Sequence, residues 1–193
     1  MNSIPKSLQA DIKRFGLEKT DGGELFVPRA RAIIGGVFGY EHYRGGELVA
    51  VERDSHNIIT NQGLNHILDV VLHGTTAVSP WYMLVFEGNY TPVAGDTAAT
   101  FPANATESTA YDEATRVEYN EAAASSQSTT NSANKATFTF NATKTIYGAA
   151  LASVSTKGST SGTLLCANKA STSKAVVSAD QLLITYTLSV TSA

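Results

Sequence analysis

Two histidines and an aspartate recur within one short segment, "NIITNQGLNHILDVVLHG", residues 57–74. His66, Asp69 and His73 stand at i, i+3 and i+7, which would place two imidazoles and a carboxylate on one side of a helix, as zinc ligands require. However, the two histidines would lie two turns apart, roughly 10 Å along the axis, which a single ion spans poorly. Because a helix carries polar residues opposite its apolar stripe, we interpret the three as a polar helix face.

Three other features could support chemistry. Cys166 is the only cysteine, and its strand-like setting "TLLCA" indicates a small core residue. The acidic run "YDEATRVEYNE", residues 111–121, could pair carboxylates for glycoside hydrolysis or bind calcium, but it lacks the glycine-punctuated spacing of a calcium loop. We interpret it as an exposed loop that leads into an exposed strand.

The glycine-rich run "GVFGYEHYRGG", residues 36–46, has neither of the spacings that bind phosphate groups. Nothing in the sequence combines a nucleophile, a base and an orienting group. We therefore expect no catalytic residues, no metal site, no cofactor and no enzyme activity.

The segment that carries the histidines has the pattern of an amphipathic helix. Thr60 or Asn61 can cap its start, and Gly74 can end it. Its apolar residues follow the i, i+3, i+4, i+7, i+8 spacing of one helix face: Leu64, Ile67, Leu68, Val71 and Leu72. We expect Leu64, Ile67, Leu68 and Val71 to be buried where the helix covers one side of a β structure.

The rest of the chain has the pattern of short strands. A hairpin is predicted around Gly45–Gly46, a buried strand in "PWYMLVFEGN", and several strands in the last third, ending with "DQLLITYTLSV". The irregular residues 90–115 are typical of a functional loop or contact surface, and the polar residues 122–134 of a flexible loop. The count predicts a mainly β, sandwich or jelly-roll-like fold with one amphipathic helix.

The first 30 residues differ from the remainder. Residues 3–19 could form a short helix with Ile4, Leu8, Ile12 and Phe15 on one side, but such a segment cannot bury this stripe alone. We expect residues 1–30 to be an N-terminal arm that lies on a partner, and residues 31–193 to be the β-sandwich domain.

Composition restricts the function further. The 193 residues are 42% hydrophobic and 16% charged, with a net charge of −3 that gives no indication of nucleic-acid binding. No segment is typical of a signal peptide or a membrane span, so we expect a soluble protein made in a cytoplasm. Residues 1–56, 57–121 and 122–193 carry net charges of 0, −7 and +4. These charges could neutralise one another within one domain, or between neighbouring copies.

The order of segments over residues 31–193 resembles a known family. It contains "NIITNQGLNHILDVVL", "WYMLVFEGN" and "DTAATFPANATESTAYDEATRVEYNEA", followed by "ATFTFNATKTIYGAALAS", "SGTLLCA" and "VSADQLLITYTLSV". The chain thereby resembles the capsid decoration, or cement, proteins of tailed bacteriophages. It departs from them at "VFEG", where a "GLI"-like run is common.

The resemblance implies a β-sandwich that binds the major capsid protein on the capsid exterior, made in the bacterial host cytoplasm. It also implies homo-oligomers, dimers or trimers, with no membrane or nucleic acid as partner, and it transfers no active-site residue. The alternative is a tail- or neck-associated fibre-attachment or receptor-binding module, whose ligand surface would be residues 90–115. A carbohydrate-active enzyme or lectin is a third alternative, which the position of Trp81 inside an apolar run disfavours.

Overall fold

The computed structural model describes residues 18–19, 25–26 and 32–192. It shows a mainly β protein, as predicted, and Gly35–Ser189 forms a compact unit by itself. The strands are β1 (Glu18–Lys19), β2 (Leu25–Phe26), β3 (Ala32–Arg44), β4 (Glu47–His56), β5 (Ile58–Ile59), β6 (Trp81–Phe86), β7 (Val117–Tyr119), β8 (Ser128–Thr130), β9 (Ala136–Thr139), β10 (Lys144–Ala152), β11 (Leu164–Val176) and β12 (Gln181–Ser192). The helices are α1 (Asn61–Leu72) and the four-residue α2 (Phe101–Asn104).

Two five-stranded sheets contain ten of these strands. Sheet I has the order β5-β11-β10-β6-β7, with each neighbouring pair antiparallel. Sheet II has the order β4-β3-β12-β8, and β9 pairs with the start of β12. β1 and β2 pair with each other, antiparallel.

The main core contains side chains from both sheets, as in a β-sandwich. Sheet I contributes Met83, Val85, Ala149, Leu151 and Cys166, and sheet II contributes Phe38, Tyr40, Leu182, Ile184 and Tyr186. The predicted alternation in β12 is confirmed for its first half, where Leu182, Ile184 and Tyr186 are fully buried.

A second buried cluster lies on the other side of sheet I. Leu84 and Phe86 of β6 belong to it, whereas Met83 and Val85 belong to the main core. The segment after β6 supplies its cover, with Phe101 of α2 packed edge-on against Phe86 at 5.6 Å between ring centroids. Both faces of β6 are thus buried, which explains its unbroken apolar run.

The β3–β4 hairpin turns at the predicted glycine pair. Gly45 and Gly46 have φ of 58° and 85°, the two positive values that a type I′ turn requires. The pairing of β3 with β4 shifts register between Phe38 and Tyr40, the residues on either side of Gly39.

The prediction of a flexible loop over residues 122–134 is wrong in part. Ser128–Thr130 forms β8, which pairs with β12. Next to it Asn131 is fully buried, donating to the carbonyl of Ile184 at 3.1 Å and accepting from the amide of Tyr186 at 2.8 Å. A polar segment can therefore be ordered when its side chains satisfy backbone groups of a neighbouring strand.

The predicted arm falls mostly outside the described residues. Of the helix expected over residues 3–19, only Glu18–Lys19 is described, and it is a strand. The division into an arm of residues 1–30 and a domain of residues 31–193 stays a prediction.

Candidate interaction surface

Helix α1 is attached to the sandwich through its first turn. The predicted cap is confirmed: the Thr60 hydroxyl accepts from the amide of Gly63 at 2.9 Å and donates to the carbonyl of Leu164 at 2.5 Å. The side-chain oxygen of Gln62 accepts from the amides of Ala98 and Leu164, each at 2.9 Å. These bonds connect the start of the helix to β11 and to the segment before α2.

Gly63 allows the close approach of this turn. It is the buried residue of the helix, and a Cβ atom at this position would collide with the backbone of Leu165. The side of α1 that faces the sandwich is therefore determined by a glycine and two polar side chains rather than by the apolar stripe.

The prediction that the apolar stripe is buried is wrong. Ile67 packs against the core, but Leu64, Leu68, Val71 and Leu72 are 38%, 55%, 72% and 79% exposed. The spacing identified residues that share a face, and it could not tell whether that face contacts the same chain or something else. Contiguous exposed apolar patches mark protein interaction sites, so this face is a candidate contact surface.

An open groove with apolar walls runs beside this face. Its volume is about 220 Å³, and its walls include Ile67, Val70, Val71, Val78, Trp81 and Leu188. Trp81, at the start of β6, packs edge-on against His66 with 5.5 Å between ring centroids. The groove and the four exposed side chains together form one surface, which we call the α1 surface.

The three polar residues of the helix differ in their surroundings. His66 lies against Trp81, while Asp69 and His73 are exposed. Within the described part of the chain, no three His, Cys, Asp or Glu side chains come together as a metal-ligand group. Nor does any helix there combine the length and apolar character needed to cross a bilayer.

A buried ion pair that the sequence did not reveal lies in the segment before β7. Arg116 is 1% exposed and donates to both carboxylate oxygens of Glu107, at 2.9 and 2.6 Å. It also donates to the carbonyls of Val154 and Ser159, each at 3.0 Å. One guanidinium thus joins the segment after α2 to the turn between β10 and β11.

The segment around this pair bears on two expectations. Residues 90–115 are irregular, as predicted, apart from the short α2, and they pack on sheet I. The run at residues 111–121 is not simply exposed, since Tyr111, Arg116 and Tyr119 are buried. The available signal was that Arg116 is the one base among the eight acids of residues 57–121.

Asp180 is the centre of a second polar cluster. It accepts from Nε of Arg44 at 3.0 Å, from the amide of Val177 at 2.9 Å, and lies 2.7 Å from Nε2 of His42. The hydrogen bonds from Arg44 keep the pKa of Asp180 well below its usual range. Among the described residues no hydroxyl or thiol bonds to His42, so this histidine–aspartate pair lacks the nucleophile of a hydrolytic triad.

Glu52 connects β4 to an irregular part of β11. Its carboxylate accepts from Nζ of Lys174 at 2.7 Å and from the amide of Ser171 at 2.7 Å. Burial raises the pKa of Glu52, but these hydrogen bonds outweigh burial and bring the pKa to about 2. Lys135 and Lys144 likewise pair with Glu41 and Glu87. The pair of Lys144 and Glu87 joins the basic residues 122–193 to the acidic residues 57–121.

Cys166 is a core residue, as predicted. It is fully buried in β11, and burial raises the pKa of its thiol to about 12. A thiol in this state is not a nucleophile near neutral pH.

The sequence matches, over residues 59–191, the family described as Podophage GP4 fiber I protein gp80. The matched region covers more than two thirds of the chain, including α1 and strands β6 to β11 in full. The chain belongs to this family. A comparison with curated proteins finds no match.

Membership of the gp80 fibre family makes the chain a structural protein of the phage virion. The family description specifies a fibre protein, whereas the resemblance in the sequence is to capsid decoration proteins. The two agree on a virion component, and they differ on its place in the particle.

Proposed function

We propose that the chain is a structural module of a phage fibre apparatus and that it attaches a fibre to the virion. The match of residues 59–191 to a fibre protein family carries this proposal. It favours the tail- or neck-associated alternative over capsid decoration. We propose further that the module acts without catalysis and without a cofactor.

The surface of the domain supports attachment rather than receptor binding. The α1 surface exposes four large aliphatic side chains, and permanent protein–protein interfaces are more apolar than transient ones. By contrast, residues 90–115, the expected ligand loop of a receptor-binding module, are packed on sheet I, and Glu107 within them forms the buried pair with Arg116.

The test is a phage that lacks the gene for this chain, grown on cells that supply the protein and then on cells that do not. We expect particles from the second growth to have intact heads and to lack fibres in electron micrographs. Complementation with the wild-type gene is the control and restores the fibres.

The other functions give different particles. Fibres that are present on particles unable to adsorb to cells would indicate receptor binding. Fibres that are present on heads which rupture on heating would indicate capsid decoration, with the major capsid protein as partner. Either result overturns attachment.

A further inference from the structure

The α1 surface has a ridge and a groove side by side. Leu64, Leu68 and Leu72 follow one another at four-residue steps along the outer side of the helix and form the ridge, with Val71 beside them. The groove runs along the neighbouring side, between the helix and Trp81. Two copies related by a two-fold axis can each place a ridge into the other's groove, as an interface that uses the same patch twice requires.

The groove is large enough for this. Its volume of about 220 Å³ exceeds the roughly 150 Å³ of an apolar cavity that accepts benzene, so one or two aliphatic side chains fit. Its walls are apolar and include Trp81, a residue type enriched among the side chains that dominate binding energy.

The charge of the α1 surface is also compatible with a second copy. A self-contact brings a patch against its own copy, so a patch with charges of one sign repels itself. Asp69 is the single acid of α1, the helix has no Lys or Arg, and the groove walls contain no Asp, Glu, Lys or Arg. A partner recognised by charge would have little to bind here.

The exposed side chains of α1 supply part of the area that a two-fold contact needs. At roughly 100 Å² for an aliphatic side chain, as transfer energies per unit area imply, the exposed fractions of Leu64, Leu68, Val71 and Leu72 amount to about 250 Å². A standard homodimer interface buries roughly 800 Å² per partner, of which about 65% is apolar. These four side chains therefore supply about half of the apolar area of such an interface, and the remaining walls of the groove add to it.

We infer that the α1 surface binds the α1 surface of a second copy of this chain. Each ridge then lies in the partner's groove, and Val71, which lies between ridge and groove, is near the two-fold axis. This inference names the partner of the surface used in the proposed function, and it rests on that function only in treating the surface as an assembly contact. The test uses the purified 193-residue chain, so its outcome does not depend on where the protein lies in the virion.

Sedimentation equilibrium over a wide concentration range measures the self-association. We expect wild-type protein to form dimers, and Leu68→Lys to weaken dimerisation at least tenfold because it places two ammonium groups in an apolar contact. Leu48→Lys is the matched control, since Leu48 is 51% exposed on β4 and Leu68 is 55% exposed. Circular dichroism of both variants checks that the fold is unchanged.

A cysteine variant tests the symmetry. Because a residue near a two-fold axis faces its own copy, oxidised Val71→Cys should give covalent dimers on a non-reducing gel, while Leu48→Cys should not. Cys166 is buried and stays reduced under these conditions. Wild-type protein that is monomeric or trimeric overturns the inference, as does equal weakening by Leu68→Lys and Leu48→Lys. If the wild-type protein is monomeric and Leu68→Lys prevents its incorporation into virions, the inference is also overturned. That result would indicate that the α1 surface binds a different virion protein.

Discussion

Replacement of Arg116 by methionine should strongly destabilise the domain. The change removes both hydrogen bonds to Glu107 and leaves that carboxylate, whose side chain is 2% exposed, buried without a partner. It also removes the donors to the carbonyls of Val154 and Ser159. Loss of one partner of a buried ion pair costs about 3–5 kcal/mol, because desolvation of the remaining charge is no longer offset.

The assay is equilibrium unfolding in denaturant, with thermal melting as a second readout. A loss of this size lowers the melting temperature of a chain of this length by about 6–20 °C. Arg53→Met is the matched control, since Arg53 is exposed on β4 and makes no ion pair among the described residues. Its effect should stay within about 0.5 kcal/mol.

A double variant separates the buried charge from the packing. Arg116→Met combined with Glu107→Leu removes the unpaired carboxylate, and apolar replacement of a whole buried pair is often close to neutral. We expect it to recover part of the loss, but not all, because the carbonyls of Val154 and Ser159 remain without their donor. A loss below about 1 kcal/mol for Arg116→Met, or no recovery in the double variant, would refute the reasoning.

Two further predictions concern the attachment of α1 and the response to acid. Gly63→Ala forces a Cβ against the backbone of Leu165 and should lower the free energy of unfolding, measured in denaturant, by about 1–3 kcal/mol. Gly95→Ala is the control and should lower it little, because the space around Gly95 is open. Equal effects of the two variants would contradict the close approach of Gly63 to Leu165. The folded pKa of Glu52 lies below its unfolded value, so its contribution to stability is complete above about pH 4.5 and is lost as the pH falls toward about 2. Glu52→Gln should therefore reduce the loss of unfolding free energy between pH 5 and 3. Glu47→Gln, at an exposed site, is the control and should leave that loss unchanged. If the unfolding free energy of Glu52→Gln depends on pH as it does in the wild type, Glu52 is not the group responsible.

The strands and the bounds of α1 follow from local rules. Thr60 and Gly74 limit α1 because a side-chain oxygen satisfies the first amides and a residue with positive φ ends the helix. The last strand is identified by alternation, which requires only that one face be buried. Such signals lie within a few residues of the structure that they predict.

The elements that were mispredicted depend on distant groups. Asn131 and Arg116 become buried because backbone carbonyls that are 53 and 38 residues away along the chain need donors. The α1 stripe faces outward because the first turn, through Gly63, occupies the contact with β11. The spacing of apolar residues shows which side chains share a helix face. What that face contacts depends on tertiary structure, which the spacing does not reveal.

This domain buries some charged side chains and exposes some aliphatic ones, and both features favour binding to another surface. Arg116 and Asp180 are charged groups in the interior, each satisfied by several bonds that join segments distant in sequence. Leu68 and Leu72 are aliphatic groups in water. Buried polar networks whose members are all bonded make a structure rigid, while exposed apolar patches favour contact with another surface. A rigid domain that presents an apolar helix loses little conformational freedom on binding, so the interior of the sandwich supports the α1 surface as an assembly contact.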